Sequence, residues 1–210
     1  MTPVLIETVR VRGGEAPLWG LHLRRLLRSC RALGIPFPAE FEVPSGGPDR
    51  VHRLEVSARG VSVSEREVGP VAPVHLITSR VVHRPYPHKT TERAQFDQAQ
   101  AEARRAGADD ALLLNAGGFV AEASIWGLFW WEGDRLCAPA LDLGVLPGVA
   151  RERLGELVAI TERRVPRAAL EGRPIFVANA ARGVVEVATL DRVPVPQVAG
   201  TQALRERFWT

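Results

Sequence analysis

His83-Arg84-Pro85-Tyr86-Pro87-His88-Lys89-Thr90-Thr91-Glu92-Arg93 stands between two segments of different periodicity. Its two prolines keep it out of helix, because each lacks an N–H and restricts the residue before it. Upstream, Val74 to Val82 is rich in β-branched residues and reads as a strand. Downstream, a helix is expected over about Arg93 to Ala106, stopped by Gly107. Residues 83–88 therefore read as a stiff linker between a smaller unit, residues 1–82, and a larger one, residues 89–210. Lys89 is placed where the linker delivers the chain into the second unit.

Lys89 is also the only lysine, beside 26 arginines. Arginine serves for charge, solubility and anion pairing but stays protonated, whereas a lysine amine can lose its proton and attack a carbonyl. An arginine-rich coding bias explains the count equally well, so composition alone leaves the choice open.

Working outward toward the N-terminus, Leu5 to Val11 reads as a strand followed by a Gly13-Gly14 turn. Leu23, Leu26, Leu27, Cys30 and Leu33 recur at helical spacing, and Gly34 with Pro36 ends that helix. Val43 to Asp49 is a loop, and Val51 to Val63 reads as two strands joined near Arg59-Gly60. Toward the C-terminus, strands are expected at Ala111 to Leu114, Phe119 to Ser124, Pro174 to Ala178 and Val184 to Thr189. A hairpin spans Leu128 to Ala138 around Glu132-Gly133-Asp134, and Leu146-Pro147-Gly148 opens a helix at Val149. The fold class is α+β.

The chain has 46% hydrophobic and 24% charged residues over 210 positions, the balance of a globular protein able to bury a core. No apolar run is long enough to cross a bilayer as a helix, so no membrane association is expected. Met1 to Glu7 lacks the basic start and apolar core of a secretory signal, which makes the cytoplasm the expected location. The net charge of +3 does not come from a basic stripe, since arginines alternate with acids along the chain, and no nucleic-acid partner is expected. The five histidines and two cysteines show no metal-ligand spacing, so no metal is expected either.

Four features bear on chemistry. Lys89 supplies the one side-chain primary amine. Glu122 stands in a small, apolar string expected to be buried, where a carboxylate needs a partner: a protonated ring nitrogen, or an arginine in a purely structural pair. Gly148-Val149-Ala150 at a helix start offers free amides to an anion, though Pro-Gly before a helix is also a common turn. Arg25, in His22-Leu23-Arg24-Arg25-Leu26, offers a planar fork suited to phosphate, or is one more surface arginine. From the residues alone, a Schiff-base enzyme is one option among others.

Taken in order, longer strings carry a resemblance. They are Leu5-Ile6-Glu7-Thr8-Val9-Arg10-Val11, the His22 to Leu26 string, Arg31 to Pro36, His88-Lys89-Thr90-Thr91, Gly107 to Asn115, Val120 to Ser124, Gly144 to Arg151 and Asn179-Ala180-Ala181-Arg182-Gly183. Together they resemble the fold-type IV pyridoxal-phosphate enzymes, the class IV aminotransferase family. The resemblance implies a small N-terminal α+β domain, a larger barrel-like C-terminal domain and pyridoxal 5'-phosphate between them. It implies that Lys89 binds the cofactor covalently and that Glu122 pairs with its pyridine nitrogen. Arg25 and the amides of Val149 and Ala150 would grip the phosphate, and Asn179 and Ala180 would form the turn closing over it. A homodimer acting on a small-molecule substrate is also implied.

Within the family, His88 to Thr91 and Leu5 to Thr8 are most similar to the 4-amino-4-deoxychorismate lyases. That likeness implies a folate-pathway lyase in which Lys89 acts as a base and the substrate loses pyruvate to give 4-aminobenzoate. The alternatives are an aminotransferase for branched-chain or D-amino acids, or a non-catalytic relative. Arg10, Arg84, Arg93 and Arg182 are equal candidates for a substrate carboxylate. Three departures from the family pattern stand out: a trimmed N-terminal start, Trp126-Gly127 where a small residue and an asparagine are usual, and Glu92 placing an acid near Lys89. Trp126 is expected to pack in the core.

Overall fold

The computed structural model describes residues 3–39 and 44–210. Val43, the first residue of the predicted loop, and the terminal Met1-Thr2 lie outside the described residues. The N-terminal part is a three-stranded antiparallel sheet in the order β1 (Leu5–Val11), β2 (Arg50–Ser57), β3 (Gly60–Glu67), with helix α1 (Trp19–Leu33) packed on it. Leu5, Leu26, Cys30, Ile35 and Val56 form its core.

Helix α1 does not bury the plain leucine stripe the spacing suggested. The buried face carries Leu21, His22, Arg25, Leu26, Ser29 and Cys30, while Leu23 and Leu27 are only half-buried. Polar residues on a buried face require partners, and these define the site described below.

The remaining strands are β4 (Val74–His83), β5 (Asp110–Asn115), β6 (Val120–Ala123), β7 (Gly127–Glu132), β8 (Arg135–Pro139), β9 (Ile160–Arg163), β10 (Ile175–Asn179), β11 (Gly183–Leu190) and β12 (Val193–Pro194). They form one sheet in the order β6-β5-β4-β11-β10-β7-β8-β9, with β12 on β11. The sheet curls until β6 packs against β7 and β8, giving a barrel-like domain. Its interior is filled by such residues as Leu76, Leu112, Trp126, Trp130, Val177 and Val187. Helix α2 (Ala94–Arg105) covers β4 and β5, whereas α3 (Val149–Leu157) and α4 (Ala199–Arg207) lie against β10 and β11 respectively.

The expected boundary after residue 82 is displaced. Strand β4 pairs in parallel with both β5 and β11, so it is a central strand of the large sheet. The chain passes from one sheet to the other in residues 68–73, and His83 ends β4 opposite Asn115 instead of starting a linker. A Pro-rich stretch marks the end of regular structure, which need not coincide with the change of sheet. Residues 84–88 nevertheless connect the two parts: the amides of Ile6 and Thr91 donate to Lys89 O at 2.8 Å and Val4 O at 2.9 Å, pinning the chain around Lys89 to β1.

Candidate active site

Between the two sheets lies a cavity of about 330 Å³. All seven residues singled out in the sequence line it: Arg25 from the small sheet's helix, and Lys89, Glu122, Val149, Ala150, Asn179 and Ala180 from the larger part. Thr8, Arg53 and Arg66 add further small-sheet positions. Volumes of this order accommodate a small-molecule cofactor.

The backbone around Lys89 is held from several directions. Tyr86 Oη accepts from the Thr90 amide and donates to the Thr90 carbonyl, both at 2.6 Å, and His88 Nδ1 is 3.0 Å from Ser29 Oγ on α1. Burial, then the charges of Arg25 and Arg93, push the Lys89 ammonium down from 10.5 to about 7, against the opposing pull of Glu7 and Glu122. About half of its amine is thus in the neutral form at pH 7. Glu92, expected to act on Lys89, is exposed and does not line the cavity; Glu7 and Glu122 are the acids that act on it.

Glu122 is buried in β6 and neither alone nor paired with an arginine. His83 Nε2 lies 2.9 Å from its Oε1, and the Leu146 amide donates to the same oxygen at 3.1 Å. Both contacts fall on one oxygen, leaving Oε2 for a ligand in the cavity. Buried Asp110 fixes the turn after β6 by accepting from Ser124 Oγ and the Ala111 and Ile125 amides.

Arg25 Nε and Nη2 donate to Glu7 Oε1 at 2.9 Å and Glu7 Oε2 at 2.5 Å, while His22 Nδ1 sits 2.6 Å from Glu7 Oε2. This bidentate pair fixes the guanidinium plane and leaves Nη1 without a hydrogen bond among the described residues. Burial disfavours a charged Glu7, but Arg25 and His22 outweigh it and hold the carboxyl down at about 2. Burial pushes the His22 imidazolium pKa down despite that contact.

At the start of α3, Gly148 is extended, and the first helical bond runs from the Glu152 amide to Gly148 O. The Val149 and Ala150 amides precede that first bond and have no intrahelical acceptor, as expected in a first turn. Across the cavity, Asn179 Oδ1 accepts from the Ala181 and Arg182 amides and its Nδ2 donates to Ile125 O, so the side chain builds the turn itself. An amine, a carboxylate oxygen, an arginine nitrogen and two helix amides around one cavity fit an aldehyde-bearing pyridine with a phosphate arm.

Of the four arginines proposed for a substrate carboxylate, Arg93 and Arg182 line the cavity, whereas Arg10 is paired with Asp49 at 2.6 Å and Arg84 is exposed away from it. Trp126 is 3% exposed and packs in the barrel core, as expected, with the Arg182 guanidinium 5.7 Å from its ring centroid. At Gly127 a Cβ would stand 3.3 Å from the Phe129 ring, so Phe129 fills space a larger residue would need.

Sequence reasoning missed Glu7, His22 and His83 as site-building residues. The signal for Glu7 was its phase: it shares the strand alternation of Leu5, Val9 and Val11, all buried. His22 and Ser29 fall on the same helical stripe as Arg25, Leu26 and Cys30.

The sequence matches the amino-transferase class IV family over residues 48–190. A Schizosaccharomyces pombe protein provisionally named aminodeoxychorismate lyase is 30% identical over 175 residues, 75% of each chain. The fold is similar to that of a branched-chain aminotransferase from Thermoproteus uzoniensis crystallised with norvaline, with a TM-score of 0.86 and 24% identity over 99% of this chain and 84% of the other. It is also similar to a Brucella abortus aminotransferase bound to pyridoxal phosphate, with a TM-score of 0.82 and 19% identity over 98% of this chain and 88% of the other. With the family matched over most of its length, the chain belongs to the class IV aminotransferases, a family of pyridoxal-phosphate-dependent enzymes.

Proposed function

We propose that the protein is a lyase that converts 4-amino-4-deoxychorismate into 4-aminobenzoate and pyruvate, supplying folate synthesis. The observation that carries the reading is the neutral-prone Lys89 amine in a cavity shared with Glu122, Arg25 and the α3 amides. The choice of lyase rests on the relative from S. pombe.

Pyridoxal phosphate, when bound, supplies an aldehyde to join an amine and a ring to delocalise the electrons left by a departing proton. Lys89 would hold the aldehyde carbon, and its free amine would take the proton from the carbon bearing the substrate amine. Glu122 Oε2 would pair with the pyridine nitrogen and favour its protonated form, with His83 and the Leu146 amide holding the carboxylate through Oε1. Arg25 Nη1 and the Val149 and Ala150 amides would hold the phosphate, and Asn179 and Ala180 would close over it. Glu7 orients Arg25. The two sheets serve as small and large domains with the cofactor between them, a reading supported by a cavity lined from both. A homodimer, implied by the family resemblance, and a cytoplasmic location complete the reading.

The likeness to a branched-chain aminotransferase supports a second reading, amino-group exchange between an amino acid and a keto acid. The deciding experiment supplies the cofactor-loaded protein with aminodeoxychorismate and no keto acid. Pyruvate and 4-aminobenzoate in equal amounts support the lyase. Exchange between a branched-chain amino acid and 2-oxoglutarate, with no pyruvate from aminodeoxychorismate, establishes the transaminase instead.

A further inference from the structure

Charged side chains around the cavity are unevenly compensated. Arg25 is bound by Glu7, Arg53 Nε by Glu55 at 2.9 Å and Arg151 Nη2 by Glu162 at 2.8 Å. Arg93 donates to Ser124 O and lies 4.0 Å from Asp97. Arg66 and Arg182 differ: among the described residues, neither has a carboxylate within ion-pair distance. Arg66 comes from β3 of the small sheet, and Arg182 from the turn joining β10 to β11 of the large one, so the fold brings them to the same cavity from opposite sides. Arg182 lies over the buried Trp126 ring, which sets the position of its guanidinium. Arg66 is exposed on β3, and partial desolvation and then the nearby Arg182 charge lower its pKa.

Two like charges brought together without a counter-charge repel one another, and a bound anion removes that cost. The arginines that act most on Lys89 are Arg25 and Arg93, whereas Arg66 and Arg182 line the same cavity from β3 and from the β10–β11 turn.

We propose that Arg66 and Arg182 form a carboxylate site that selects substrates carrying an anionic group remote from the reacting amine. The inference rests on the proposed function and deepens it. A branched-chain amino acid carries its single carboxylate on the carbon that bears the amine. Aminodeoxychorismate carries carboxylates on the ring and on the ether side chain, and none on the amine-bearing carbon. The uncompensated pair therefore favours a substrate with a carboxylate remote from the amine, as in aminodeoxychorismate, over a branched-chain amino acid.

The test uses 3-(carboxymethoxy)benzoate and 3-methoxybenzoate, which share a frame and differ by one carboxylate, titrated calorimetrically into the protein with and without pyridoxal phosphate. The dicarboxylate is expected to bind about tenfold more tightly or better, as a charge-assisted pair provides. The preference should vanish in the Arg66→Gln/Arg182→Gln variant and shrink in each single variant, with melting temperature and borohydride trapping on Lys89 unchanged. Equal affinities in the wild type, or a preference surviving the double substitution, overturn the site. Failure to trap cofactor on Lys89 overturns the functional reading instead, while a dicarboxylate preference in the cofactor-free protein still supports the anion site.

Discussion

Lys89 should titrate near pH 7, more than three pH units below an ordinary lysine. Burial and two cavity arginines oppose its protonation, and the two acids that favour it are already committed, Glu7 to Arg25 and Glu122 to His83. At pH 7.4 about 70% of an amine with a pKa near 7 is neutral, against about 0.1% for one at 10.5. Because this is the chain's only lysine, the prediction can be read at a single site. Cofactor-free protein is pulsed with acetic anhydride across pH 5.5 to 9.5, digested, and the modified Lys89 peptide quantified by mass spectrometry against a free-amine standard. After correction for reagent hydrolysis, labelling should be half-maximal near pH 7 and level off above about pH 8.5. Glu7→Gln removes a charge that favours the ammonium and leaves Arg25 uncompensated, so its midpoint should move lower still. A labelling rate that keeps rising about tenfold per pH unit through pH 9.5 would refute the reasoning, since Lys89 would then be as well solvated as a surface lysine.

The same imbalance sets stability. Lys89 is harder to protonate in the fold than in the unfolded chain, so its cost is fully present below pH 7 and fades as pH rises toward 10.5. Lys89→Met should therefore stabilise the cofactor-free protein near neutrality, by at most about 4 kcal/mol, with a gain that shrinks toward pH 10 in denaturant melts. Glu7 has the opposite sign of pH dependence: its depressed pKa stabilises the fold above about 4.5 and that contribution is lost as pH falls toward 2. Glu7→Gln should flatten the acid limb of the stability curve and weaken pyridoxal-phosphate retention by about tenfold in equilibrium dialysis, because Arg25 loses its fixed plane; unchanged retention would remove Glu7 from the phosphate site. Glu122→Gln should still take up cofactor but react at least about a hundredfold more slowly, and a wild-type rate would separate Glu122 from the pyridine nitrogen. Gly144 has φ of 81°, and a Cβ there would stand 2.8 Å from Pro85 Cα, so Gly144→Ala should lower stability by about 2 kcal/mol or more in chemical denaturation.

Much of the architecture was legible because local rules decide it. Leu5–Val11 was bounded from its apolar, β-branched run, and the β7–β8 hairpin from its Glu-Gly-Asp turn. Periodicity was silent on β9, β12 and α4, whose short or mostly exposed segments carry little pattern. It also misassigned the boundary, since β4 looks the same whichever sheet it joins.

The sequence by itself determined the element order, the single amine at Lys89, and the strings that tie Lys89, Glu122, Arg25 and the α3 start to one family. These depend on residue type and spacing, which the chain states directly. Only the tertiary structure decided which charges compensate one another. Glu7 with Arg25, His83 with Glu122, and Arg66 beside Arg182 are separated by 18, 39 and 116 positions, and sequence spacing does not fix such distances. Electrostatic energy depends on separation and burial in the folded state, so Lys89 acquires its lowered pKa, and the cavity its surplus positive charge, only when the two sheets close around them.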